Sequence, residues 1–150
     1  MFQVLRAATA LLAFGLLTGC GASGPKLHPL VGKVILDGVP LSPKPGETAF
    51  VEFTADTKAG NTSPHLPRGT IAVDGTFTVT TTNQPGIEAG AWVARVVYQK
   101  EPDSEGDKNR YAPPVGLISA KFSDFGNSGF RVTSGADNFQ APDFAVTKAR

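Results

Sequence analysis

The chain holds one cysteine, one methionine, one tryptophan, two tyrosines and two histidines among 150 residues. A single cysteine excludes a disulfide within the chain, so the fold must be held by packing. His28 and His65 stand far apart, and without a second cysteine they offer no ligand spacing for zinc. An excess of one charge is lacking as well: 14 Lys plus Arg stand against 13 Asp plus Glu. That balance excludes the basic face on which nucleic-acid recognition depends. No apolar run approaches the roughly 20 residues needed to cross a bilayer as a helix. No Gly-rich loop leads into a helix and no Gly-x-Ser-x-Gly elbow occurs, so neither nucleotide binding nor an elbow serine has support.

What is present begins with a leader. Arg6 is the one charge in residues 1–19, and an apolar stretch runs over residues 7–17. That length suits the h-region of a signal peptide and is too short for a span. Leu17, Thr18, Gly19 and Cys20 follow as an aliphatic residue, two small residues and the lone thiol. This pattern is similar to a bacterial lipobox, in which the cysteine is lipidated and becomes the first mature residue. Stable anchoring takes at least two acyl chains, which a diacylglycerol on Cys20 supplies. The expected organisation is therefore a signal peptide (1–19), a lipidated tether (20–29) and one folded domain (30–150). The expected location is outside the cytoplasm, on the envelope by a lipid anchor. The absence of aspartate after the cysteine (Gly21) favours the outer membrane. Removing the leader takes away only Arg6, which leaves 13 basic against 13 acidic residues.

The body reads as all-β. Seventeen Gly and 12 Pro in 150 residues stay below the share of about 25–30% at which disorder becomes the default, and they suit a protein with many turns. Period-2 alternation, broken at short intervals by turn signals, predicts strands over 31–36, 49–54, 69–73, 76–81, 91–99, 129–133 and 139–146. Val34 and Leu36, Val51 and Phe53, Ile71 and Val73, Phe77 and Val79, and Trp92, Ala94 and Val96 are expected inward. Asp37-Gly38 and Asp74-Gly75 predict tight turns. The 91–99 segment is apolar on both faces, which marks it as central. Inward parity shifts from Phe139 and Ala141 to Phe144 and Val146 across Pro142, which predicts a bulge. The expected fold is a sandwich of about seven antiparallel strands.

Several segments in order resemble the small lipoproteins abundant in planctomycete bacteria. These are Gly32 to Leu41 (GKVILDGVPL), Val51-Glu52-Phe53, Asp74 to Val79 (DGTFTV) and Pro85 to Trp92 (PGIEAGAW). Lys121-Phe122-Ser123-Asp124, Ser128-Gly129-Phe130 and Gly135 to Asn138 complete the set. The body of such proteins is a transthyretin-like, carboxypeptidase-regulatory-like β-sandwich, and the resemblance implies an Ig-like sandwich here. The sequence departs from the pattern at Ala120 and Phe122, where a proline and a tyrosine are usual. The resemblance implies contact with an envelope protein or glycan, and brings no activity with it.

Chemistry-bearing residues are sparse. No catalytic residue is assigned and no cofactor is expected beyond the lipid on Cys20. Asp103, Glu105 and Asp107 alternate along a charged loop and can offer oxygen ligands to calcium, although the remainder of an EF-hand is missing. Tyr111 and Phe125 are the aromatics best placed for an exposed binding surface. Tyr98 shares parity with Trp92 and is expected in the core. The expected function is a non-catalytic binding or structural module of the envelope. Two rivals stand beside it: a small hydrolase built from loop carboxylates, and a calcium-dependent adhesion module.

Overall fold

Alternation of apolar and polar side chains organises the structure, a computed structural model that describes residues 24–102, 112–135 and 139–150. The strands are β1 (Leu27–His28), β2 (Leu30–Leu36), β3 (Val39–Pro40), β4 (Glu47–Ala55), β5 (Arg68–Thr70), β6 (Thr76–Thr78) and β7 (Thr80–Thr81). They continue as β8 (Gln84–Pro85), β9 (Ile87–Glu88), β10 (Gly90–Lys100), β11 (Val115–Gly116), β12 (Phe130–Ser134), β13 (Phe139–Gln140) and β14 (Phe144–Val146). Among the described residues the only helices are short 3-10 turns at Thr57–Ala59 and Ala120–Ser123. The fold is all-β and sandwich-like, as expected. Each of the seven expected segments contributes a strand, and two-residue ladders are added between them.

One sheet runs in the order β11-β10-β4-β5-β7-β8, with β12 also paired to β10. The other is built around β2, which takes β13 and β14 on one side and β3 and β6 on the other. β10 is central, as its two apolar faces predicted. It pairs with β4 along nine positions, from Trp92 opposite Ala55 to Lys100 opposite Glu47. The inward faces meet in one core. Val51, Phe53, Trp92, Ala94 and Val96 come from the first sheet; Leu30, Val34, Phe77, Phe144 and Val146 come from the second. Phe53 stands 6.3 Å from Phe77 and 6.5 Å from Phe144, centroid to centroid, so aromatic contact joins the sheets. Burying each such side chain contributes about 1.5–3 kcal/mol, and this burial is the main source of stability in a chain whose described part holds no disulfide.

The turns follow their sequences. Asp37 (φ 49°) and Gly38 (φ 87°) close the β2–β3 hairpin with positive φ at both central positions, as a type I′ turn requires. At the second turn the Gly75 N–H donates to the Ala72 carbonyl, which places Val73 and Asp74 at the tip. Gly75 follows at φ 82°. Val73 is therefore 74% exposed, which corrects its expected inward position: the loop consumes one residue more than the alternation implied. Strand 76–81 divides at Val79. Its first half pairs with β2 and its second with β5, so the chain crosses between sheets there.

The C-terminal strand carries the predicted irregularity. Phe139 lies opposite Leu30, whereas Phe144 lies opposite Val34. The later segment uses one more residue than β2 over the same span, and Pro142 sits in the excess. Both pairings are parallel to β2, a direction that alternation cannot encode. Gly32 is needed on β2 because a Cβ there would lie 2.4 Å from the Phe77 ring.

The expected boundary between tether and body shifts. Leu27 and His28, assigned to the tether, pair with Glu88 and Ile87. His28 is 7% exposed. The ordered body therefore takes in two residues ahead of position 30.

Candidate functional site

The two ends of the sandwich differ in chemistry, and each holds a candidate site. At the end where β1 joins β9, Trp92 is fully buried, and its indole N–H donates to the Glu88 carbonyl and to Ser134 Oγ, both at 3.1 Å. Ser134 Oγ in turn donates to the Glu88 carbonyl. His65 Nδ1 contacts the Glu88 carboxylate, and Ser63 Oγ lies 3.4 Å from the same nitrogen. Serine, histidine and glutamate thus meet, but serine and carboxylate share one ring nitrogen. A hydrolytic relay needs the nucleophile on one nitrogen and the acid on the other. The trio instead ties the 56–67 loop to β9.

The opposite end opens as a cleft of about 470 Å³ lined by Leu36, Val39, Pro40, Ser42, Lys44, Glu47, Tyr98, Gly116, Leu117, Lys148 and Ala149. Mainly apolar walls with a few convergent polar groups are the usual make-up of a ligand site. The cleft is positioned by register. Tyr98 and Glu47 are diagonal neighbours across the β10–β4 ladder, since Lys100 is opposite Glu47. The Tyr98 ring belongs to the core, as expected from its parity with Trp92, and is 7% exposed. Its O–H reaches the cleft and donates to Glu47 Oε2, which also accepts the Lys44 backbone N–H at 2.8 Å.

These contacts set the protonation states. The hydrogen bond from Tyr98, reinforced by that from Lys44, holds the Glu47 carboxyl below its usual range. Burial, aided by the Glu47 carboxylate, pushes the Tyr98 phenol up to about 12. A phenol held protonated beside a fixed carboxylate is a poor nucleophile and a poor acid. With the one phenolic proton given to Glu47, what the pair turns toward the cleft is acceptor oxygens held in fixed orientation.

The outer face of the larger sheet carries a third group. Glu52 Oε2 accepts from Arg95 Nε at 2.9 Å and Nη2 at 2.6 Å. Arg95 also lies over the Phe125 ring, 4.6 Å from its centroid. Phe125, one of the two aromatics best placed for exposure, is half-buried beneath a guanidinium. The buried Asp56 pairs with Arg131. Ser128 Oγ donates to the Ala94 carbonyl at 2.6 Å, and Ser123 Oγ to that of Val96 at 3.1 Å, which fastens the 119–129 segment along β10.

Leu17, Thr18, Gly19 and Cys20 lie outside the described residues, as do Asp103, Glu105, Asp107 and Tyr111. Among the described residues no three His, Cys, Asp or Glu side chains gather as a metal site, and no helix is long and apolar enough to cross a membrane. The Tyr98–Glu47 cleft was not foreseen. The one available signal was a tyrosine and a glutamate at opposite ends of two strands whose pairing was not yet known. Comparison with models of known protein families gives no match, and comparison with curated proteins gives none either.

Proposed function

We propose that this chain is a lipid-anchored β-sandwich of the bacterial cell envelope, tethered to the outer membrane through Cys20, that serves as a non-catalytic binding module for an envelope protein or glycan. The observation that carries the reading is the sequence Leu17-Thr18-Gly19-Cys20 at the close of an apolar leader, with the only cysteine of the chain in the acceptor position. The geometry suits it. The chain enters the body at β1, beside Glu88, and the Tyr98–Glu47 cleft lies beyond the far end of β2. Seven residues of β2 separate the two by roughly 20 Å. An anchor at one end leaves the recognition cleft directed away from the lipid surface.

Intact-mass measurement on protein from its native host tests the anchor. A chain beginning at a diacylglyceryl-modified Cys20 and partitioning into detergent is the expected result. A Cys20→Ser variant should lose that partitioning. An unmodified thiol, or a cytosolic chain that keeps Met1, would refute the anchor. Crosslinking in native membranes followed by capture tests the module: retained envelope protein or glycan supports it, and repeated failure to retain either leaves a purely structural role.

A further inference from the structure

Phe50 is an aromatic side chain on the outward face of β4, yet it is only 9% exposed. The Arg68 guanidinium covers it, 3.4 Å from the ring centroid. Stacking fixes the plane of the guanidinium and leaves its edge N–H groups for two oxygens of an oxyanion. Arg68 is itself exposed and forms no ion pair among the described residues. The nearest acid across the ladder, Glu52, is held by two bonds from Arg95.

Arg68 stands at one end of a row of hydroxyls. Thr76, Thr78 and Thr80 alternate outward while Phe77 and Val79 face the core. Arg68 is opposite Thr80, and the Ile71–Phe77 bridge sets Thr70 opposite Thr78. Together they line an open concavity of about 350 Å³. Thr80 Oγ1 donates to the Arg68 carbonyl and Thr76 Oγ1 to Asp74, whereas the Thr70 and Thr78 hydroxyls have no partner among the described residues. The row is therefore polar along its length, cationic at Arg68 and anionic at Asp74.

We propose that this Arg68–threonine row binds an acidic polysaccharide, with Arg68 on a uronate carboxylate or sulfate ester and Thr70 and Thr78 on the sugar hydroxyls. The proposal rests on the reading of the chain as a binding module and names the partner of a second face. One cation among several neutral hydroxyls matches a polymer with one anion among many hydroxyls; a small free anion is better served by converging cations. An extended peptide has no edge to pair with here, because β5 already lies between β4 and β7.

The full-length protein in non-ionic detergent, at one fixed salt concentration, is titrated against polygalacturonate, dextran sulfate and neutral dextran, with inorganic sulfate as competitor. Binding to at least one acidic polymer and not to dextran is the expected result. Arg68→Gln and Arg68→Lys should each weaken it about tenfold, the lysine because it lacks the planar fork. Should loss of the Phe50 cover unfold these variants, the Thr70→Val/Thr78→Val double variant, which leaves the stack intact, should weaken binding several-fold at unchanged Tm. Equal binding by folded variants, equal binding of dextran, displacement by sulfate at the polymer's own affinity, or failure to bind either acidic polymer overturns the proposal. Acidic envelope glycan captured equally by wild type and Arg68→Gln would overturn this inference and leave the module reading intact; capture of neither protein nor glycan by wild type would remove both.

Discussion

The two ends of the sandwich solve the same problem, a large aromatic with a polar atom, in opposite ways. Trp92 is wholly enclosed and its N–H is spent on Glu88 and Ser134 within the fold. Tyr98 buries its ring and extends its hydroxyl to a carboxylate at the floor of an open cleft. The first arrangement fastens loops to the core; the second leaves fixed acceptor oxygens at an open cleft. The contrast separates an enclosed end from an open one, and substitutions can test it.

The largest effect is expected at the enclosed end. Trp92→Ala should destabilise the fold by about 3–5 kcal/mol, read by denaturant unfolding; a loss below about 0.5 kcal/mol, the size of an ordinary surface change, would mean that the enclosed end is not the firmer one. At the open end, Tyr98→Phe keeps the ring and should cost only about 1 kcal/mol. The same variant should alter pH dependence. The folded Glu47 carboxyl lies below its ordinary range, so its stabilising contribution is complete above the unfolded carboxyl pKa and is lost as pH falls through the folded one. The folded Tyr98 phenol lies above its ordinary value, so its contribution is complete below pH 10 and lost as pH rises toward about 12. Tyr98→Phe should flatten both limbs of the stability profile, and a profile identical to wild type would sever the proposed coupling.

Smaller effects should follow on the surface. Arg131 is 62% exposed in its pair with Asp56, so Arg131→Gln should cost at most about 1 kcal/mol. Val39, 61% exposed at the cleft, should tolerate Val39→Ser within about 0.5 kcal/mol. If the open end makes the contact, that same change should reduce partner capture. Unchanged capture would move recognition away from the cleft.

The sequence disclosed much of this fold for one reason: alternation reports which face is buried. Val51, Phe53, Trp92, Ala94 and Val96 were assigned inward and are fully buried. The parity change across Pro142 even located an inserted residue, which the register with β2 bears out. Alternation says nothing of strand direction, so the parallel addition of β13 and β14 could not be read. It also fails over two residues, which hid β1 and with it the burial of His28. The candidate sites were less legible. Tyr98 with Glu47 and Arg68 with Phe50 meet only once pairing register is known, because each contact joins different strands.

The parallel seating of β14 on β2 has a consequence for how the molecule comes into being. β2 emerges early in translation, yet its neighbour on one flank comes from residues made long afterwards. Until those arrive, one flank of β2 lacks its neighbour and the core lacks Phe144 and Val146, so the nascent polypeptide cannot complete its interior. Such late closure ties completion of the fold to the synthesis of its final strands.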